Sequence, residues 1–111
     1  MTEEKLLFIW RYQRLDANKL VDVEGNKIQV IFPGYFNTAK GPTFIKSQIR
    51  IGSILWFGNV EMQFATSLWY DLDFHLNELY QNVILNVVWF HDLNNQLKGF
   101  HPPILELMNK I

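Results

Sequence analysis

Residues 45 to 64 restrict the fold more than any other stretch of the chain. Ile45, Ile49 and Ile51 alternate with Lys46, Gln48 and Arg50, and Ile54, Trp56, Val60, Met62 and Phe64 recur with the same alternation further on. A period of two marks a strand whose two faces differ. Gly52-Ser53 lies between the runs and suits a two-residue hairpin turn. That turn sets the register: Ile51 opposes Ile54, Ile49 opposes Trp56, Ser47 opposes Gly58, and Ile45 opposes Val60. One face of the hairpin is then apolar. The other carries Lys46, Gln48, Arg50, Asn59, Glu61 and Gln63, with Phe44, Leu55 and Phe57 among them. Those aromatics predict helices or loops packed over this second face too.

The flanking segments extend the pattern. Thr2 can cap a helix that Glu3 and Glu4 begin, and Leu6, Ile9, Trp10 and Gln13 recur at helical spacing, which predicts a helix ending near Leu15. Val21 and Val23, then Ile28, Val30 and Phe32, alternate on either side of Glu24-Gly25-Asn26-Lys27, as two strands around a turn would. Pro33-Gly34 closes the second of them, and a loop follows from Tyr35 to Pro42. Residues 67 to 81 read as a short helix or ordered loop. Val83 to Phe90 is apolar on both faces and rich in β-branched residues, the pattern of a central strand covered on both sides. Asn86 interrupts it, so its buried amide needs partners. His101-Pro102-Pro103 turns the chain into a last short strand or helix. The sum is a single α+β domain over residues 1 to 111, with an N-terminal helix on a mostly antiparallel sheet of about five strands.

Composition narrows the function. With 111 residues, 49% hydrophobic and 19% charged, the chain has neither the low apolar content nor the high net charge of a disordered one. The absence of cysteine excludes disulfides, thiolate nucleophiles and cysteine-based zinc sites; with the acidic start, it points to the cytoplasm. No apolar run reaches the roughly 20 residues of a membrane span, so no membrane association is expected. The net charge of -1 hides a first half at +3 and a second half at -4. Arg11, Arg14, Lys40, Lys46 and Arg50 leave room for a local basic face, although scattered solvated charge accounts for them equally simply.

Few side chains have a spacing that suits chemistry. Glu61 and Gln63, two apart on one strand, share a face, and Lys46 falls on that face of the neighbouring strand. E-x-Q is a variant of the E-x-K half of nuclease cores of the PD-(D/E)XK type, but any strand with a polar face can show it. His75, His91 and His101 lack the spacing of metal ligands. His75 among Asp71, Asp73 and Glu78 reads either as a cation site or as a solvated acidic loop. His91-Asp92 reads as a strand end. No glycine elbow accompanies the serines, and no glycine loop suits a phosphate.

Several segments resemble an uncharacterised bacterial family, domain of unknown function 2851: TEEKLLFIWRYQ at 2–13, IQVIFPGYFNTAKGPTF at 28–44, IRIGSILWFGNVEMQ at 49–63, SLWY at 67–70, YQNVILNVVWFHD at 80–92 and ILELMNKI at 104–111. The resemblance spans nearly the whole chain, and it implies the N-terminal portion of a longer protein. In the family pattern an Asp follows the Gly-Pro pair, the glutamate of GNVE begins an E-x-H, an acid follows the serine of SLW, and the last strand reads L-H-V-V. Asp followed one strand later by E-x-H is similar to a divergent PD-(D/E)XK nuclease, with a restriction-endonuclease-like fold as the implied architecture. This sequence keeps Glu61 but has Thr43, Gln63, Leu68 and Asn86 at the other positions.

Two expectations follow from the resemblance. The first is a degenerate nuclease-like core without catalysis or cofactor, serving as a binding or scaffold module for a protein partner or a second copy of itself. The second is a Mg²⁺-dependent nuclease acting on nucleic acid, with Glu61, Gln63 and Lys46 as catalytic residues, Glu61 and Thr43 as metal ligands, and Asp71 or Asp73 as a replacement carboxylate. A hard cation gains little from a threonine hydroxyl and an amide oxygen, which favours the first. The hairpin register also turns Thr43 toward the core face, away from Glu61, unless a bulge intervenes or the strand begins at Phe44.

Overall fold

The computed structural model of the chain describes residues 1–93, 97, 99 and 101–111. Helix α1 spans Glu3–Arg11, with the Thr2 hydroxyl accepting from the Lys5 amide at 3.1 Å and Glu3 and Glu4 in the first turn. It stops four residues short of Leu15. Gln13 takes a left-handed φ of 51°, the Arg14 amide donates to the Ile9 carbonyl at 2.8 Å and the Gln13 amide to Trp10 at 3.1 Å, closing the end as a Schellman motif without glycine. The Gln13 side chain adds a bond to the Trp10 carbonyl.

Strands β1 (Ile28–Phe32), β2 (Tyr35–Phe36), β3 (Phe44–Ile51), β4 (Ile54–Ala65), β5 (Val83–Phe90) and β6 (Ile104–Glu106) form one sheet. Its order is β1-β3-β4-β5-β6, with β2 also paired to β3. The pairs β1/β3, β2/β3 and β3/β4 are antiparallel, while β4/β5 and β5/β6 are parallel. The sheet is therefore mixed. The parallel β4/β5 step needs a crossover, which residues 66–82 provide through helix α2 (Leu68–Asp71) and the 3-10 turns Phe74–Leu76 and Glu78–Tyr80. Among the described residues, no helix is long and apolar enough to cross a membrane.

The predicted hairpin around residues 24–27 shrinks to a single bridge between Val21 and Lys27. Asp22 is the reason. Its carboxylate accepts from the amides of Glu24 and Asn26 and from the Asn26 side chain, so the chain curls around it. β1 pairs with β3 instead.

The hairpin β3/β4 follows the predicted register from its turn through Ile51–Ile54, Ile49–Trp56 and Ser47–Gly58. Beyond Ser47 it changes. Phe44, not Ile45, opposes Val60, because β3 advances three positions from Phe44 to Ser47 while β4 advances two. This is a β-bulge, and Lys46 absorbs it with a φ of 58°. The bulge moves Phe44 from the polar face, where strict alternation puts it, into the core at 0% exposure.

Two apolar clusters sandwich the sheet. On one side Leu6 and Trp10 of α1 pack with Ile28, Phe44, Ile49, Val60, Met62, Leu85 and Val87. The Trp10 indole and the Ser47 hydroxyl both donate to the Pro33 carbonyl at 3.1 Å, tying helix to sheet. Gly34 must lack a side chain here, since its φ is +101° and a Cβ would collide with the Ser47 hydroxyl. The second cluster comprises Trp69, Tyr80 and Val83 with Tyr70 and Phe74, the Phe74 and Tyr80 rings stacking at 3.9 Å. It covers part of the second face, as expected, but not the side chains that prompted the expectation: Phe44 lies in the first cluster and Phe57 stays exposed.

Because Lys46 holds a left-handed conformation that L residues adopt at a cost of about 1–2 kcal/mol, Lys46→Gly should leave the fold intact and raise unfolding stability by about 1 kcal/mol. Urea unfolding monitored by tryptophan fluorescence checks this. A loss of stability would mean that the Lys46 side chain, rather than the backbone turn, supports the bulge.

Candidate functional site

The bulge brings Thr43 to Glu61. The Thr43 amide and hydroxyl both donate to Glu61 Oε1, at 2.9 and 2.7 Å, and the hydroxyl accepts from the Met62 amide at 3.2 Å. Thr43, just ahead of β3, thus reads one carboxyl oxygen with two donors. Alternation along β4 places Glu61 and Gln63 on the face opposite Val60 and Met62, and the parallel register sets Asn86 beside Glu61. The Asn86 side-chain N–H donates to Gln63 Oε1 at 3.1 Å, which answers half of the requirement that a buried asparagine raises.

The other half is not answered. Among the described residues, Gln63 Nε2 and Asn86 Oδ1 are buried without a hydrogen-bond partner. Only 5% of Gln63 and 1% of Asn86 is exposed. One good bond therefore leaves one orphan on each amide, an arrangement that costs stability.

Glu61 is also buried, at 6% exposure. Burial pushes its carboxyl up to about 7, the hydrogen bonds from Thr43 and the Met62 backbone offset this only in part, and the charge of Glu3 adds a small further rise. Tyr80 feels the same surroundings: burial, then the Glu61 charge, push its hydroxyl up to about 12.

A cavity of about 430 Å³ opens over these groups. Its walls are Glu3, Thr43, Glu61, Met62, Gln63, Phe64, Leu68, Leu72 and Phe74. Four of the five positions at which the family resemblance locates chemistry, Thr43, Glu61, Gln63 and Leu68, thus lie in one wall, and the fifth, Asn86, is bonded to Gln63. Lys46 stays next to Asn59, on the face expected, but does not line this cavity. It is exposed and lines a separate hollow with Ser47, Gln48, Phe57, Gly58, Asn59 and Asn82. Asp71 and Asp73 are exposed and do not line the cavity.

Other predicted residues do structural work. His91 Nδ1 lies 2.7 Å from the Thr66 hydroxyl, and Asp92 accepts from the Ser67 amide at 2.8 Å, so the pair fastens the end of β5 to the end of β4. Burial alone would raise Asp92, but hydrogen bonds from the Ser67 hydroxyl and amide hold its carboxyl below the usual carboxylate range. Among the described residues, no group of three or more His, Cys, Asp or Glu side chains is arranged to hold a metal ion. Sequence reasoning missed Glu3, Phe64, Leu72 and Phe74 as cavity walls. Glu3 reads only as a helix starter, Phe64 reads as part of the apolar alternation of its strand, and Leu72 and Phe74 sit in a segment with no clear period.

Fold and site together define an α+β domain with a mixed sheet and a carboxyl-amide cluster enclosed under its crossover. Over residues 3–111 the chain matches the family described as "Protein of unknown function (DUF2851)", and it belongs to that family. No curated protein and no solved structure matches the chain.

The burial of Glu61 fixes the sign of a pH effect. Its folded-state value lies above the ordinary 4.5, so its contribution is fully present below pH 4.5 and is lost as the pH rises through about 7. Glu61→Gln should flatten this dependence and leave the variant more stable than the parent above pH 7, by up to about 3 kcal/mol. Urea unfolding at intervals between pH 4.5 and 8 checks it; parallel curves for the two proteins would show Glu61 ionised throughout.

The half-satisfied amide pair leads to a second expectation. Gln63→Met alone strands the Asn86 N–H and should destabilise by about 1–3 kcal/mol, whereas Gln63→Met with Asn86→Leu removes both orphans and should be neutral or stabilising by a similar amount. Thermal melts of the three proteins decide it. Additive losses in the double variant would show that each amide has a further partner.

Proposed function

We propose that this chain is a binding domain built on a nuclease-like frame, without phosphodiesterase activity of its own. The observation that carries this reading is the state of Glu61. It is the one carboxylate at the centre of the cluster, its Oε1 is taken by two Thr43 donors, and its carboxyl is pushed up to about 7. Mg²⁺ demands a near-ideal octahedron of oxygen ligands, supplied by well-placed carboxylates with waters and substrate phosphates. Here it would meet Glu61, the exposed Glu3 from the first helical turn, and the N–H side of Gln63. The donor set does not fit Mg²⁺. The cationic help expected from Lys46 lies in another hollow.

The competing reading is a divalent-metal-dependent nuclease. It is tested by incubating the chain with single- and double-stranded DNA and RNA in millimolar Mg²⁺ or Mn²⁺, with Glu61→Gln as control. The expected outcome is no cleavage by either protein and no metal-dependent rise in melting temperature. Thr43→Asp with Gln63→His should create such a rise, because it supplies a second carboxylate and a neutral imidazole to the same wall. Cleavage by the parent chain that disappears in Glu61→Gln would overturn the non-catalytic reading.

A further inference from the structure

We propose that the cavity over Glu61 and Gln63 binds a small neutral molecule through a cyclic amide or imide edge, in which a carbonyl oxygen stands beside an N–H. The proposal deepens the binding reading above and names the ligand class for that site. Its ground is the pairing of one buried donor with one acceptor in a cavity whose remaining wall is largely the apolar side chains of Phe64, Leu68, Leu72 and Phe74, with Glu3 at its side.

The donor is Gln63 Nε2. The side chain is more than nine-tenths buried and lines the cavity, and its oxygen is held by the Asn86 N–H, so the amide is oriented with Nε2 left over. An N–H buried without a partner is rare and calls for an acceptor. The acceptor is the Glu61 oxygen that Thr43 does not engage. Glu61 and Gln63 stand two residues apart on one face of β4, about 7 Å along the strand, and their flexible ends can converge on neighbouring ligand atoms.

Chemistry removes the other small-ligand classes. Phosphates and carboxylates would meet Glu61 and Glu3, with no Lys or Arg in the wall among the described residues. A metal ion or an ammonium group would confront the Gln63 N–H. A purely apolar molecule would leave that N–H as unpaired as before. An amide edge satisfies both side chains at once: its carbonyl takes the Gln63 N–H, and its N–H is given to Glu61. The ring behind that edge would rest on Phe64, Leu68, Leu72 and Phe74, and the volume of about 430 Å³ accommodates it.

Uracil, with two N–H groups beside carbonyls, and 1,3-dimethyluracil, which keeps the ring and carbonyls but has no N–H, form the probe pair. Each is titrated without added metal into ¹⁵N-labelled chain, following the Gln63 side-chain amide and the Thr43 backbone amide by NMR. Saturable shifts with uracil, at least tenfold weaker with 1,3-dimethyluracil, are expected. The Gln63→Met/Asn86→Leu variant should bind uracil at least tenfold more weakly while melting at or above the parent's temperature; if it fails to fold, Gln63→Met alone takes its place. No saturable shift, equal binding of the two probes, or undiminished binding by the folded variant would overturn the proposal. Metal-dependent cleavage by the parent chain would instead overturn the non-catalytic reading, leaving the titration to judge the ligand.

Discussion

One extra residue in β3 governs the interior. Without the bulge, the alternation of the β3/β4 hairpin would run unbroken from its turn to Ile45, sending Phe44 to the polar face and Thr43 to the core face. With it, Phe44 fills the core against Val60 and Thr43 meets the Glu61 carboxyl. The two outcomes are coupled, because a one-residue slip exchanges every side chain beyond it between the two faces. Lys46 accepts a left-handed conformation so that both can occur. A local backbone cost is thereby exchanged for a large apolar contact and for two hydrogen bonds to a buried acid.

The bulge also marks where the sequence stops being legible. Near the Gly52-Ser53 turn the pattern is locally overdetermined, since turn chemistry and alternation agree, and the structure follows it residue by residue as far as Ser47. Further out the turn no longer dictates register, and competition between Phe44 and Ile45 for one core position decides it, which no period-two count contains. The same limit appears at α1, where helical spacing runs on to Leu15 but Gln13 turns left-handed and ends the helix. It appears again at Asp22, whose carboxylate satisfies three nearby N–H groups and outcompetes a strand ladder. Val83–Phe90, by contrast, was legible because a strand covered on both faces has no polar side to hide.

The site divides in the same way. The E-x-Q pair on β4 was readable as two side chains on one face, and the family resemblance singled out Thr43, Leu68 and Asn86. Their convergence depends on contacts 18 to 25 positions apart along the chain, among them Thr43 with Glu61 and Asn86 with Gln63, which pattern alone does not give. Lys46 shows the converse. Alternation put it on the face of Glu61, and it is found beside Asn59 in a separate hollow while Thr43 is brought to the carboxyl.

The cluster between the sheet and its crossover is costly by the ordinary measures of stability. A buried carboxyl pushed toward neutrality and two amides each left one bond short are the groups that apolar residues of the same shape would replace without loss. Beside them Trp69, Phe74 and Tyr80 form close ring contacts over the same face. The uncompensated groups are held rather than loose: Thr43 pins Glu61 Oε1, and Asn86 pins Gln63 Oε1. What remains is Gln63 Nε2, unpaired among the described residues, and the Glu61 oxygen to which Thr43 does not donate. An oriented donor beside an acceptor, facing a cavity walled by Phe64, Leu68, Leu72 and Phe74 as well as by Glu3, is the arrangement from which the proposed recognition of a neutral polar edge follows, in place of the charge compensation that metal-assisted phosphodiester chemistry demands.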